Sequence, residues 1–89
     1  MKWYISQAKF NPDYTIEIKF KDGLSGVVQI LSSRLRGVFV ALRDINLFTN
    51  GYLQHGAVTW DVGDGEVLDL APDTMHKEIK KNKGLYVMK

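Results

Sequence analysis

Arg43 and Asp44 are the adjacent pair whose chemistry is most informative. A guanidinium offers five donors in a planar fork, and a carboxylate can accept hydrogen bonds from the first amides of a helix. Two interpretations stay open. Arg43 contacts a partner or an anion while Asp44 orients it, or Asp44 caps a helix and Arg43 bonds to loop carbonyls. Arg34 and Arg36 either enlarge the basic patch or are solvated surface. The predicted partner-binding residues are Arg34, Arg36, Arg43 and Asp44.

An acidic, glycine-bearing segment follows Trp60. Calcium needs several oxygen ligands converging on one point, but the spacing of these acids does not match the calcium-loop pattern. We therefore expect a solvated hairpin loop rather than a metal site. Its acidic residues are Asp61, Asp64, Glu66 and Asp69.

His55 and His76 are the two histidines, and cysteine is absent. A zinc site would need further carboxylate ligands, for which no spacing signature exists. Ser32 and Ser33 lack the context of a nucleophile elbow. We therefore predict no catalytic residue, no metal and no cofactor. A small metal-dependent enzyme using Asp22, Arg43 or Asp44 is the weakest alternative.

Charge is segregated along the second half of the chain. Residues 61–73 carry five acids and no base, whereas residues 76–89 carry five lysines and one glutamate. Lysines near a helix end also interact favourably with the helix dipole, so the basic cluster has a structural explanation. Nucleic-acid binding is the alternative function, because lysines can bind phosphates. It would use Lys77, Lys80, Lys81 and Lys83.

Composition sets the scale of the protein. The chain has 89 residues, 45% of them apolar, with 12 Lys+Arg against 10 Asp+Glu. This length supports one modest core, so we expect a single domain over residues 1–89. The apolar runs are too short to cross a bilayer, and residues 1–10 do not match a secretory signal. We expect a cytoplasmic protein that does not bind membranes.

The first third predicts three antiparallel strands. In residues 14–20, large apolar side chains alternate with polar ones, which is typical of a half-buried strand. Residues 3–10 form a strand before it, and residues 24–30 form one after the Asp22-Gly23 turn. Gly26 within the third strand indicates a bulge or a close backbone approach.

The remaining elements are shorter. Asp44 is placed to cap a helical segment over residues 45–49, and residues 52–54, 58–60 and 67–70 favour strands. A helix starts at Pro72, with Gly84 in the left-handed position after its end. Residues 85–88 can add an edge strand in this chain or in another copy, giving a homodimer. The fold class is α+β, a small, mostly antiparallel sheet with a short central helical segment and a C-terminal helix.

The ordered motifs resemble a small bacterial family, the domain-of-unknown-function family 2442. That family carries Phe-x-Asp-Gly before Gly-Val-Val, then Gly-x-Phe, Leu-Arg-Asp and Leu-Phe, and later a tryptophan before Asp-Leu-Ala-Pro-Asp-Thr. The matching residues here are Phe20, Asp22, Gly23, Gly26, Val27, Val28, Gly37, Phe39, Leu42, Arg43, Asp44, Leu47, Phe48, Trp60 and Asp69 to Thr74.

The chain departs from the family pattern at three places. Gln29 stands where the family usually has Asp, Ile45 stands where it has Pro, and extra residues lie between Trp60 and Asp69. The resemblance implies a small α+β protein without an established activity, often encoded beside a second small protein as in toxin–antitoxin-like pairs. Together with the missing catalytic set, it predicts a non-enzymatic protein-interaction module, with the antitoxin-like member of such a pair as the narrower form of this prediction. Its contact surface would combine the Arg43-Asp44 turn, the acidic loop and residues 85–88.

Overall fold

The first sheet has four strands in the computed structural model, which describes residues 3–89. The predicted N-terminal meander is confirmed, with each strand antiparallel to the next. A C-terminal strand then joins the sheet parallel to the third strand, giving the order β1-β2-β3-β7. The strands are β1 Ile5–Phe10, β2 Thr15–Phe20, β3 Ser25–Ile30 and β7 Leu85–Met88.

The alternation in β2 places Ile16, Ile18 and Phe20 in the core, each no more than 2% exposed. Tyr14, however, lies outside the strand with φ of 63°, so the strand begins one residue later than predicted. The Tyr14 side chain still packs against the core. The β2–β3 turn has Gly23 at φ of 95°, a conformation that glycine adopts without a steric penalty.

The second sheet has the order β4-β5-β6, all antiparallel. Its strands are β4 Tyr52–Gln54, β5 Ala57–Gly63 and β6 Glu66–Asp69. The acidic segment forms a solvent-exposed hairpin as expected, but its loop is shorter than predicted, because β5 continues to Gly63 and only Asp64 and Gly65 turn the chain. Acidic side chains do not interrupt a strand when they project into solvent, and Asp61 and Glu66 are exposed.

Helical segments connect and cover the sheets. A short 3₁₀ helix at Ser32–Arg34 is followed by a longer one at Gly37–Arg43, and then by α1 at Ile45–Thr49. A 3₁₀ helix has three residues per turn, so side chains three positions apart share a face. In this segment only Leu42 is fully buried, with Phe39 half-buried one turn earlier.

The C-terminal helix α2 spans Pro72–Lys81, with its first residue as predicted. Met75 and Ile79 are buried on one face. Gly84 has the left-handed φ predicted for it after the helix end, at 116°, and Lys83 before it is also left-handed, at 59°. The Gly84 amide donates to Ile79 O at 2.9 Å, which closes the helix end and directs the chain into β7.

The two sheets share one core centred on aromatic side chains. Trp60 and Phe48 are fully buried with ring centroids 5.7 Å apart, and Phe10 packs edge-on against both. The Trp60 indole donates to Phe48 O at 2.8 Å, so the polar edge of the ring is satisfied. This contact fixes α1 on the second sheet. The α+β fold class is confirmed.

Candidate interaction surface

The Arg43-Asp44 turn is tied to its own scaffold. Asp44 Oδ1 accepts the Asn46 amide at 3.0 Å and caps α1, as one of the two interpretations expects. Arg43 Nε donates to Leu35 O at 2.6 Å, and Arg43 O accepts the Tyr14 hydroxyl at 2.9 Å. These bonds join the 3₁₀ segment to α1 and the first sheet. Both side chains are nevertheless solvent-exposed.

Arg34 and Arg36 occupy different surroundings. The Arg34 guanidinium lies over the Phe39 ring, 5.1 Å from its centroid, and its side chain is half-buried. An arginine stacked on an aromatic ring is held in place while part of its donor set faces outward. Arg36 is exposed immediately before the long 3₁₀ helix. Arg34 is therefore better positioned than Arg36 to contact a partner.

Arg34 and Phe39 border a small cavity of about 190 Å³. We call this the Arg34 cleft. It brings the end of the acidic segment and the C-terminal strand to one place, as the predicted contact surface required, whereas Arg43 and Asp44 do not line it. Its lining residues are Arg34, Phe39, Asp69, Leu70, Ala71, Thr74, Met75, Tyr86 and Met88.

Two exposed valines flank Phe39 in the long 3₁₀ helix. Val38 is 74% exposed and Val40 is 54% exposed. Neighbouring exposed apolar residues are candidates for an interaction site, whereas single ones are ordinary, and these two lie on either side of a residue that lines the Arg34 cleft. The sequence alone did not single out these two valines. The signal available in the sequence was the apolar run over residues 38–42, which is longer than its surroundings could bury.

The lysines of α2 share one exposed face. Lys77 lies three and four residues before Lys80 and Lys81, the spacing that aligns side chains on a helix. Met75 and Ile79 occupy the buried face, so the lysines face solvent. Lys83 is exposed just beyond the helix end. Of the four predicted phosphate-binding residues, the structure therefore places Lys77, Lys80 and Lys81 on one exposed helix face.

His76 and Asp22 form a contact that the sequence did not predict. His76 Nε2 lies 2.7 Å from Asp22 Oδ2, and the His76 ring packs edge-on against Phe20, with centroids 4.8 Å apart. The Leu24 amide, followed by His76, holds the pKa of Asp22 below its usual value. Among the side-chain hydrogen bonds of residues 3–89, the His76 ring has Asp22 as its only partner. The pair therefore links the β2–β3 turn to α2.

The other potential metal ligands are dispersed. His55 is an exposed turn residue between β4 and β5, with φ of 52°. Asp61 accepts the Tyr52 hydroxyl at 2.6 Å, and this bond raises the pKa of Tyr52. Across residues 3–89, no group of three histidine, aspartate or glutamate side chains is arranged to hold a metal ion. In the same part of the chain, no helix has the length and apolar character needed to span a membrane.

Comparison with known proteins identifies no relative of this chain. No protein-family description, no curated protein and no solved structure matches the chain. The resemblance to family 2442 stays a prediction.

Proposed function

We propose that this chain is a non-enzymatic protein-interaction module whose partner docks on the long 3₁₀ helix and the Arg34 cleft. The observation that carries the proposal is the exposure of Val38 and Val40 beside the Arg34–Phe39 pair. Binding would remove these side chains from water, which favours association.

The residue types around the cleft support this proposal. Arginine and aromatic residues are enriched among the residues that contribute most to protein–protein binding. The cleft is lined partly by the apolar side chains of Leu70, Met75 and Met88, and it is large enough to take one or two side chains. Arg34 and Asp69 provide opposite charges at the same cleft, so a partner with both an apolar anchor and polar groups would fit it.

The family resemblance supplies the identity of the partner within this proposal. A member of family 2442 is expected to act with the product of an adjacent gene, and an antitoxin-like role follows if that product is toxic. The Arg43-Asp44 turn contributes by holding the long 3₁₀ helix on the scaffold. The exposed side chains of Arg43 and Asp44 extend the contact surface.

Co-expression with the adjacent gene product tests the proposal. We expect the two proteins to co-purify, and we expect Val38→Ser/Val40→Ser to weaken binding at least tenfold, because fully burying one valine side chain is worth about 1.5 to 3 kcal/mol and about 1.4 kcal/mol is a factor of ten in affinity. Val67→Ser is the matched control, since Val67 is also 54% exposed but lies on β6. Circular dichroism would verify that all variants are folded.

Two results would reject this proposal. One is absence of co-purification with the wild-type chain. The other is that Val67→Ser weakens partner binding as much as Val38→Ser/Val40→Ser does. That result would show that the exposed valines of the long 3₁₀ helix have no special role in binding.

Nucleic-acid binding is the second candidate, supported by the alignment of Lys77, Lys80 and Lys81 on the exposed face of α2. It predicts an affinity that falls steeply with salt, because phosphate binding releases counterions. Lys77→Gln/Lys80→Gln/Lys81→Gln should reduce that salt dependence, with Lys9→Gln/Lys19→Gln on the first sheet as a control of similar chemistry. A binding constant insensitive to salt would exclude this candidate.

A further inference from the structure

β6 is the outer strand of the second sheet. Within residues 3–89 its only paired neighbour is β5. The Leu70 amide donates to Val58 O at 3.0 Å, and backbone groups alternate direction along an antiparallel strand. The amide and carbonyl groups of Val67 and Asp69 therefore point away from β5. Both residues are exposed.

β7 has the corresponding position in the first sheet. In the described part of the chain it pairs only with β3. Gly84 O accepts the Val27 amide, and Met88 O accepts the Leu31 amide. By the same alternation, the backbone groups of Leu85 and Val87 point away from β3. A groove of about 450 Å³ lies beside this edge, lined by Glu78, Asn82, Leu85, Tyr86, Val87 and Lys89.

The two edges carry opposite charges. Glu66 and Asp69 lie on β6, next to Asp64 in the preceding turn, whereas Lys83 and Lys89 bracket β7. Each edge also exposes a large apolar side chain, Val67 at 54% on β6 and Leu85 at 47% on β7. An exposed edge with unpaired backbone groups is a template for another strand.

Pairing between like edges is disfavoured. Pairing of two β7 edges would bring Lys83 and Lys89, which bracket β7, of both copies to one seam. Like charges directly opposite one another destabilise a strand pair. Pairing of two β6 edges would likewise concentrate the acidic residues Asp64, Glu66 and Asp69 of both copies at one seam. The charge pattern therefore selects unlike edges.

We infer that β6 of one copy pairs with β7 of a second copy. Antiparallel pairing through the outward backbone groups places Val67 opposite Val87, and Asp69 opposite Leu85. In this register Lys89 lies opposite Gly65, which Asp64 and Glu66 flank in the sequence, and Lys83 precedes β7 at the end of the pair where Asp69 lies. The partner here is a second copy of this chain, so the inference goes beyond the proposed function and needs no other protein.

Reversing the charges at one edge or the other tests the inference. Sedimentation equilibrium at low salt and high protein concentration should give a mass above that of the monomer, falling to the monomer as salt screens the edges. Lys83→Glu/Lys89→Glu makes both edges acidic, and Glu66→Lys/Asp69→Lys makes both basic. Each double variant alone should be monomeric, and an equimolar mixture should associate. A monomeric wild-type protein, or an inert mixture of folded variants, would overturn the inference.

A crosslink provides a second readout that does not depend on charge reversal. Directly opposite residues in a hydrogen-bonded antiparallel pair have Cα atoms about 5.5 Å apart, which suits a disulfide. Because the natural chain has no cysteine, mixing Val67→Cys with Val87→Cys should yield mixed dimers preferentially. Equal crosslinking in each variant alone would contradict the unlike pairing.

Discussion

Asp22 uses its two carboxylate oxygens for two different contacts. Oδ1 accepts the Leu24 amide at 3.0 Å and shapes the β2–β3 turn, whereas Oδ2 meets His76 on α2. The turn role was predictable, because Asp-Gly is a local signal. The histidine contact was not, since it joins residues 54 positions apart and depends on how α2 packs.

This arrangement predicts an acid-dependent stability. The pKa of Asp22 lies below its ordinary value of 3.8 in the folded protein, so its carboxylate stabilises the fold above that pH. The contribution is lost as the pH falls through the lowered pKa. Asp22→Asn should therefore flatten the loss of stability between roughly pH 4 and pH 2 in urea unfolding experiments.

Asp64→Asn removes the same formal charge from an exposed turn of the second sheet and serves as the control. If Asp64→Asn flattened the acid profile as much as Asp22→Asn did, the contacts of Asp22 would not be its cause.

At the scale of elements, local signals predicted most strands and both α-helices. The alternation in β2 and the Pro72 helix start depend on neighbouring residues alone. The 3₁₀ conformation of Gly37–Arg43 was not predictable, because bonds from Arg43 to Leu35 and from Tyr14 to Arg43 hold it in place. The extension of β5 to Gly63 likewise depends on pairing with β6.

The cap of α1 gives a direct prediction for this short helix. Asp44→Ala should lower the free energy of unfolding by about 0.5 to 2 kcal/mol, because the Asn46 amide loses its acceptor. Asp44→Asn should retain most of the stability, since asparagine is an equally good cap. Thermal or urea unfolding of the three proteins measures the difference. Equal stability of all three would show that the cap contributes nothing.

The β3–β7 pairing depends on Gly26. A Cβ at this position would lie 2.7 Å from Gly84 O and 2.6 Å from Ile79 Cγ2. Gly26→Ala should therefore destabilise the protein by about 1 to 3 kcal/mol, because the backbone oxygen cannot move aside without shifting β7. Ser25→Ala in the same strand should change stability by less than about 0.5 kcal/mol. Matching urea midpoints for the two variants would contradict the close approach.

For the whole molecule, the structure keeps two parts of the predicted contact surface together and separates the third from them. The acidic segment and β7 meet at the Arg34 cleft, while the Arg43-Asp44 turn supports the long 3₁₀ helix. The sequence indicated which segments were unusual in charge. It did not indicate how they meet, because that depends on the packing of α2 against β3 and β7.

Hydrogen exchange on the complex with the adjacent gene product tests the central claim most directly. Comparison with the unbound chain should show slower exchange in residues 34–40 and 70–75, where the 3₁₀ surface and the Arg34 cleft lie. Protection confined to the lysine face at residues 77–83, or no difference between bound and unbound chain, would contradict the proposed interaction module.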